Sequence, residues 1–262
     1  MSLRKTDKLS TLLQQLPEGV AAPSAWFAEQ GYSRQLLYKY VHSGWLVKLG
    51  RGVYLRPGTM LDWQGVGLGL QHLAHAPFHL GGISALNQQG YAHYLPLGGE
   101  PTLHWFGKGA IPAWVNTLDL PQTFQFHTRQ LFDDQAVTFG LSQLPTKTRD
   151  WTLNISAPER AVLEVLSQVE QDGGIRFQHA AELFEGLTVL RPALINSLLA
   201  ACQSIKAKRL FLFFADHNQH AWVKRLERDA IALGSSKLQI VKGGRWDKHY
   251  QITVPQESSL AY

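Results

Sequence analysis

The chain has 262 residues, 45% of them hydrophobic and 17% charged, a globular composition large enough for one big domain or two ordinary ones. It holds no uninterrupted apolar run of the ~18 residues that a membrane-spanning helix needs, and its single cysteine, Cys202, excludes an intrachain disulfide or a cysteine-based zinc site. The net charge of +5 is unevenly spread: residues 1–60 carry +5, residues 61–200 carry −5 and residues 201–262 carry +5. Met1 to Lys8 are charged and lack the apolar segment of a secretory signal, so a cytoplasmic protein is expected.

In chain order, Leu9, Leu12, Leu13 and Leu16 recur at helical spacing and predict an amphipathic helix from about Thr6 to Leu16, closed by Pro17 and Gly19. Pro23 to Glu29 predicts a second helix, with Pro23 near the first turn, where a missing N–H costs little. Gln30-Gly31-Tyr32 is the turn, and Ser33 is the N-cap of a third helix that ends at Gly44. Leu37 and Val41, flanked by Leu36 and Tyr40, form its inward face and leave Arg34, Gln35, Tyr38, Lys39 and His42 outward. Arg and Gln can make bidentate contacts to base edges, while Lys and Tyr suit phosphates. Trp45 to Leu49 and Gly52 to Leu55 then read as a hairpin turning on Gly50-Arg51-Gly52, with Lys48, Arg51 and Arg56 placed to meet a DNA backbone or minor groove. Three helices and a basic-tipped hairpin predict a winged helix-turn-helix over residues 1–58, with Pro57-Gly58 as a linker and Ser33, Arg34, Gln35, Tyr38, Lys39, His42, Lys48, Arg51 and Arg56 as its DNA-binding set.

Residues 59–262 read as a larger mixed α/β domain, giving an α+β chain overall. Helices are expected at Asp62–Ala76, from Ser84, from a capping box formed by Ser156 and Glu159, and at about 177–186, 191–204 and 220–233. Strands are expected at 102–106, 124–128, 151–155, 209–214, 238–241 and 250–254.

Catalytic and metal signatures are sparse. His72, His75 and His79 could share a helix, with His93 downstream, but Pro77 interrupts it and no His-Glu-x-x-His accompanies them. His217 and His220 lie near Asp216, a spacing that a polar loop explains as simply. There is no Gly-x-Ser-x-Gly and no Walker A; Gly65-x-Gly67-x-Gly69 lacks both the dinucleotide pattern and a preceding strand. Asp119, Asp133 and Asp134 are not followed by a nuclease signature, and Cys202 reads as core. No catalytic residue, cofactor or metal is expected. The tail instead gathers Lys206, Lys208, Arg209, Lys224, Arg225, Arg228, Lys237, Lys242, Arg245 and Lys248, interleaved with Trp222, Trp246 and Tyr250. This is either a surface for nucleic acid or an acidic protein, or a solvated coat.

The N-terminal segment resembles the AbiEi antitoxin family, transcriptional regulators of type IV toxin–antitoxin systems. The family pattern Ser-Arg-x-x-Leu-Tyr-x-Tyr-Val-x-x-Gly-Trp-Leu, running into a Leu-Gly-Arg-Gly-Val-Tyr wing, is matched by Ser33 to Leu46 and Leu49 to Tyr54. Gly81 to Tyr91 and Ile155 to Glu164 also fit, although the family often has Asp where Glu164 stands. The resemblance implies a repressor of its own promoter repeats on double-stranded DNA. It also implies an antitoxin whose C-terminal domain counteracts a nucleotidyltransferase toxin of the AbiEii type, with the basic tail as the place to look for that activity. Two alternatives stay open: a DNA-targeted nuclease or nucleotide-modifying enzyme with its chemistry in the larger domain, and a protein-interaction module that DNA binding localises.

Overall fold

Leu12 and Leu16 are fully buried at the first helix, α1 (Lys5–Gln15), as the leucine spacing predicts. The structure, a computed structural model, describes residues 5–91, 102–148 and 150–256, so His93 lies outside the described residues. Two compact units interleave along the chain: Met1–Leu80, Gly99–Thr128 and Gln143–Asn154 make one, and Gly81–Gly98, Arg129–Ser142 and Ile155–Tyr262 make the other. The break expected at Pro57-Gly58 falls inside the first unit.

In the first unit α1 is followed by β1 (Ala22–Pro23), α2 (Ser24–Glu29), α3 (Arg34–His42), β2 (Val47–Gly50) and β3 (Val53–Leu55). Three helices and a hairpin follow in the expected order, but β1, which takes Pro23 out of the expected helix, adds a third strand to give an antiparallel sheet in the order β1-β3-β2. Next come α4 (Trp63–Leu68), β4 (Phe78–Leu80), β5 (Thr102–Gly107), β6 (Thr123–His127), β7 (Leu141–Pro145) and β8 (Thr152–Ser156). The five strands from β4 to β8 make one sheet in the order β6-β5-β4-β8-β7, with β5 and β6 parallel. Strand β7 was not expected, because Leu-Ser-Gln-Leu-Pro has little apolar alternation and ends in proline.

Gly65, Gly67 and Gly69, which carry no nucleotide fingerprint, explain how α4 packs. Asp62 caps the helix through a 2.8 Å bond from the Gly65 N–H, and a π turn over Gly69–Leu73 continues it. A Cβ at Gly65 would lie 1.8 Å from the Gly19 carbonyl oxygen, at Gly67 2.6 Å from the buried Trp105 ring, and at Gly69 2.1 Å from the Ala21 carbonyl oxygen. Only residues without a side chain let the helix backbone come this close.

The second unit contains α5 (Gly82–Gln88), α6 (Pro158–Gln168), α7 (Phe177–Glu185), α8 (Pro192–Ala201), α9 (Ile205–Asn218), β9 (Arg245–Asp247) and β10 (Ile252–Val254). Here the Gly81–Tyr91 and Ile155–Glu164 stretches meet at a buried node. The Glu164 carboxylate accepts bonds from the Gly82 N–H at 2.8 Å, the Ser156 hydroxyl at 2.7 Å and Arg160 Nε at 3.0 Å. Arg160 also donates to the carbonyls of Ala136, Val137 and Phe139 and lies 4.5 Å from the Phe132 ring centroid. A buried ion pair is tolerated when its remaining donors and acceptors are met in this way.

Four expectations are corrected in this unit. Ser156 and Glu159 do not form a capping box. Pro158 starts the helix, so Ala157 is its N-cap; Ser156 instead bonds Glu164, and Glu159 binds Arg191. Arg209 to Phe214 is not a strand but the middle of α9, which Ser204 caps and which is buried from Ala207 through Ala215. An apolar run buried on every side has no periodicity to separate strand from helix. Residues 220–233 form two short 3₁₀ turns instead of a helix: Asn196 binds the Arg225 carbonyl and the Glu227 N–H, Trp222 is buried with its indole on the Leu187 carbonyl, and Arg228 is drawn to Asp216. The expected strand at 238–241 is reduced to a single bridge from Leu238 to Ile252, since Thr253 Oγ1 takes the Ile240 and Val241 N–H groups.

Candidate nucleic-acid interface

Helix α3 is positioned by its ends and its apolar face. The Ser33 side chain accepts from the Leu36 N–H, and at the other end Gly44, at φ +73°, lets the Trp45 N–H return 2.8 Å to the Tyr40 carbonyl. Leu37 and Tyr40 are buried, with Leu36 and Val41 half-buried, so the four make the inward face as expected, with Tyr40 deeper than Val41. The Tyr32 hydroxyl donates to the Lys8 carbonyl at 3.0 Å and ties the turn before α3 to α1. Burial pushes the Tyr32 and Tyr40 hydroxyls above their ordinary pKa, keeping both neutral.

On the opposite face, Ser33, Arg34, Gln35, Tyr38, Lys39 and His42 are all exposed. The rings of Tyr38 and His42 stack, with centroids 5.7 Å apart and planes 19° apart. The β2–β3 hairpin pairs Lys48 with Tyr54 and bulges between Lys48 and Gly50. Lys48 and Arg51 stand in solvent, Arg51 at the turn. The turn itself is held firmly: the Gly52 carbonyl accepts from the Ser24 N–H at 2.8 Å, and a Cβ at Gly50 would lie 2.3 Å from Thr117 Oγ1.

Arg56, expected beside Lys48 and Arg51, is placed differently. It is half-buried, donates to the Leu13 and Leu16 carbonyls at 3.2 and 3.4 Å, and pairs with Glu18 at 3.2 Å. A cation there satisfies the open carbonyls at the C-terminal end of α1.

The basic tail divides in the same manner. Lys224, Arg225, Lys237, Lys242 and Lys248 are exposed, and Lys237 lies 5.7 Å from the Trp246 ring centroid. Lys208 and Arg209 are buried, and Lys206, Arg228 and Arg245 are intermediate. Arg209 donates to the carbonyls of Leu233, Gly234, Ser236 and Gln251. Lys206 donates to the Val169 carbonyl, and burial brings its ammonium down to about 8, against the opposing pull of Glu170. Arg228 and the Tyr250 hydroxyl both bond Asp216. Burial and then that carboxylate push the Tyr250 hydroxyl up to about 12.

The histidines do not converge as their spacing suggested. His72 stacks on Trp151 and bonds the Thr152 carbonyl, His75 is exposed at φ +47°, and His79 stacks on Phe106 within β4. His217 bonds the Phe213 carbonyl of its own helix, and His220 faces the Phe184 carbonyl. A pair not foreseen joins neighbouring strands: His104 Nδ1 lies 2.9 Å from His127 Nε2, the rings are 8° from parallel, and burial and then His127 hold His104 down to about 4. Both strands were legible in the sequence, but the pairing of β5 with β6 that brings the two rings to one sheet face was not. Among the described residues, no three His, Cys, Asp or Glu side chains come together to hold a metal ion, and no helix is long and apolar enough to cross a membrane. Cys202 is buried, and burial raises its thiol to about 11.

In fold the chain is similar to the RV2827C protein from Mycobacterium tuberculosis, with a TM-score of 0.54 at 15% identity over 94% of this chain and 89% of that one. No curated protein matches it. The family model described as transcriptional regulator, AbiEi antitoxin, N-terminal domain matches residues 5–97, and the one described as transcriptional regulator, AbiEi antitoxin, type IV TA system matches residues 100–255. The chain therefore belongs to the AbiEi antitoxins, a family of transcriptional regulators of type IV toxin–antitoxin systems and not of enzymes.

Proposed function

We propose that this regulator binds double-stranded DNA by seating α3 in a major groove, with Arg34, Gln35 and Lys39 on base edges and Lys48 and Arg51 on the backbone. Residues 1–58 are the reading head, and residues 59–262 carry the antitoxin function. The protein acts in the cytoplasm, occupies repeats in its own promoter, represses the operon and counteracts a nucleotidyltransferase toxin encoded beside it. The observation that carries the reading is the wholly exposed face of α3 from Arg34 to His42, together with the exposed Lys48 and Arg51. For a partner of the second unit, the tail leaves Lys224, Arg225, Lys237, Lys242 and Lys248 in solvent.

Binding to a duplex from the chain's own promoter tests the docking. Arg34→Ala and Arg51→Ala each weaken it, and unchanged affinity in both overturns the proposed docking. Co-expression with the neighbouring nucleotidyltransferase tests the antitoxin role, where failure to restore growth overturns it.

A further inference from the structure

Tyr38 is the most exposed aromatic side chain among the described residues, at 69%. It follows Arg34 by four residues and Gln35 by three, so it shares their helical face one turn on. Helical side chains lean back toward the helix N-terminus, which lays the Tyr38 ring over the turn that carries Arg34 and Gln35. His42, four residues further, leans onto that ring in turn and stacks with it. A tyrosine that serves a phosphate needs only its hydroxyl at the end of a mobile side chain. A ring held by a stacked neighbour offers an apolar surface whose rotamer freedom is already reduced, so less is lost on contact. In the major groove the apolar mark on a base edge is the C5 methyl group of thymine.

We infer that Tyr38, stacked on His42 beside Arg34 and Gln35, is a specificity-determining residue that reads a thymine C5 methyl in the operator; this rests on the docking of α3 proposed above. The sequence pattern alone had assigned tyrosine to phosphate. The ring contact adds a reading of base identity to the bidentate contacts of Arg34 and Gln35.

The test uses the full chain and a duplex from its own promoter, with thymines replaced one at a time by uracil, which lacks the methyl but keeps the same hydrogen-bonding edge. Affinity is measured for wild type, Tyr38→Phe and Tyr38→Ala, after melting curves show all three folded. At one position in each promoter repeat, uracil is expected to weaken the wild type about fourfold, the equivalent of one buried methyl. Tyr38→Phe keeps that penalty and Tyr38→Ala loses it. The proposal is overturned if no single uracil weakens the wild type, or if Tyr38→Ala keeps the same penalty. It is also overturned if Tyr38→Phe weakens every duplex alike and shows no uracil penalty, which marks a hydroxyl on phosphate. In each of these results the docking of α3 is judged separately, by whether Arg34→Ala and Arg51→Ala weaken binding; a wild type that does not bind its promoter overturns both readings.

Discussion

Residues 1–60 and residues 201–262 carry the same net charge of +5, and the tail draws more of its cations inward. Around α3 and its hairpin the cations stand in water: Arg34, Lys39, Lys48 and Arg51 are all exposed. In the tail, Lys208 and Arg209 are buried and Arg209 alone serves four carbonyls of the 233–251 segment. Arg160, in the same unit as the tail, does likewise for three carbonyls and a buried carboxylate. Regular secondary structure satisfies its own backbone groups, whereas an irregular segment needs donors from side chains. Arginine, with five N–H groups in a fixed fork, is suited to that work. Both regions leave cations in solvent, but the tail also commits buried ones to holding loops in place, as Arg209 does.

The largest test of this contrast is Arg160→Met, which leaves Glu164 buried without its cation. Urea unfolding is expected to show a loss of about 3–5 kcal/mol, and a loss below about 1 kcal/mol would refute the structural role of the node. Arg209→Met comes next, at about 3 kcal/mol, because four carbonyls of the 233–251 segment lose the one buried side chain that serves them all. Its folded fraction should bind promoter DNA as wild type does; weaker binding by that fraction would place Arg209 in the interface and erase the contrast.

Arg34→Ala should do the reverse. It is expected to cost about 1–3 kcal/mol of operator affinity and to relax specificity at one position, while stability stays within about 0.5 kcal/mol of wild type. Arg51→Ala is expected to weaken all DNA sequences alike and to make the salt dependence shallower by about one unit, read from titrations at several salt concentrations.

Lys206 gives an effect that is set by pH, a slope that vanishes near neutrality. Its ammonium lies at about 8 in the fold against an ordinary 10.5. Between those values the unfolded chain binds more protons than the folded one, so this group makes stability rise with pH from about 8 to about 10.5. Lys206→Met should remove that rise relative to wild type, and identical slopes for the two proteins would show that the amine is not desolvated.

Legibility followed locality. Ser33 as a cap, Gly44 as a stop and the Gly50-Arg51-Gly52 turn were readable because each depends on neighbours a few residues away. The outward face of α3 followed from its helical period, and only the depth of Val41, less buried than Tyr40, departs from it. Arg56 was misplaced because the Leu13 and Leu16 carbonyls that hold it are some forty residues away in the chain. Glu159 looked like half of a capping box, but Arg191, which lies 32 residues on, offers it a bidentate partner.

By itself, then, the sequence determined the N-terminal helices, the hairpin and the family of this protein, because those features reside in short-range pattern and motif. Only the tertiary structure decided which of its cations face water. Whether an arginine is solvated or buried depends on carbonyls and carboxylates that folding brings from distant segments, and neither spacing nor net charge encodes that encounter.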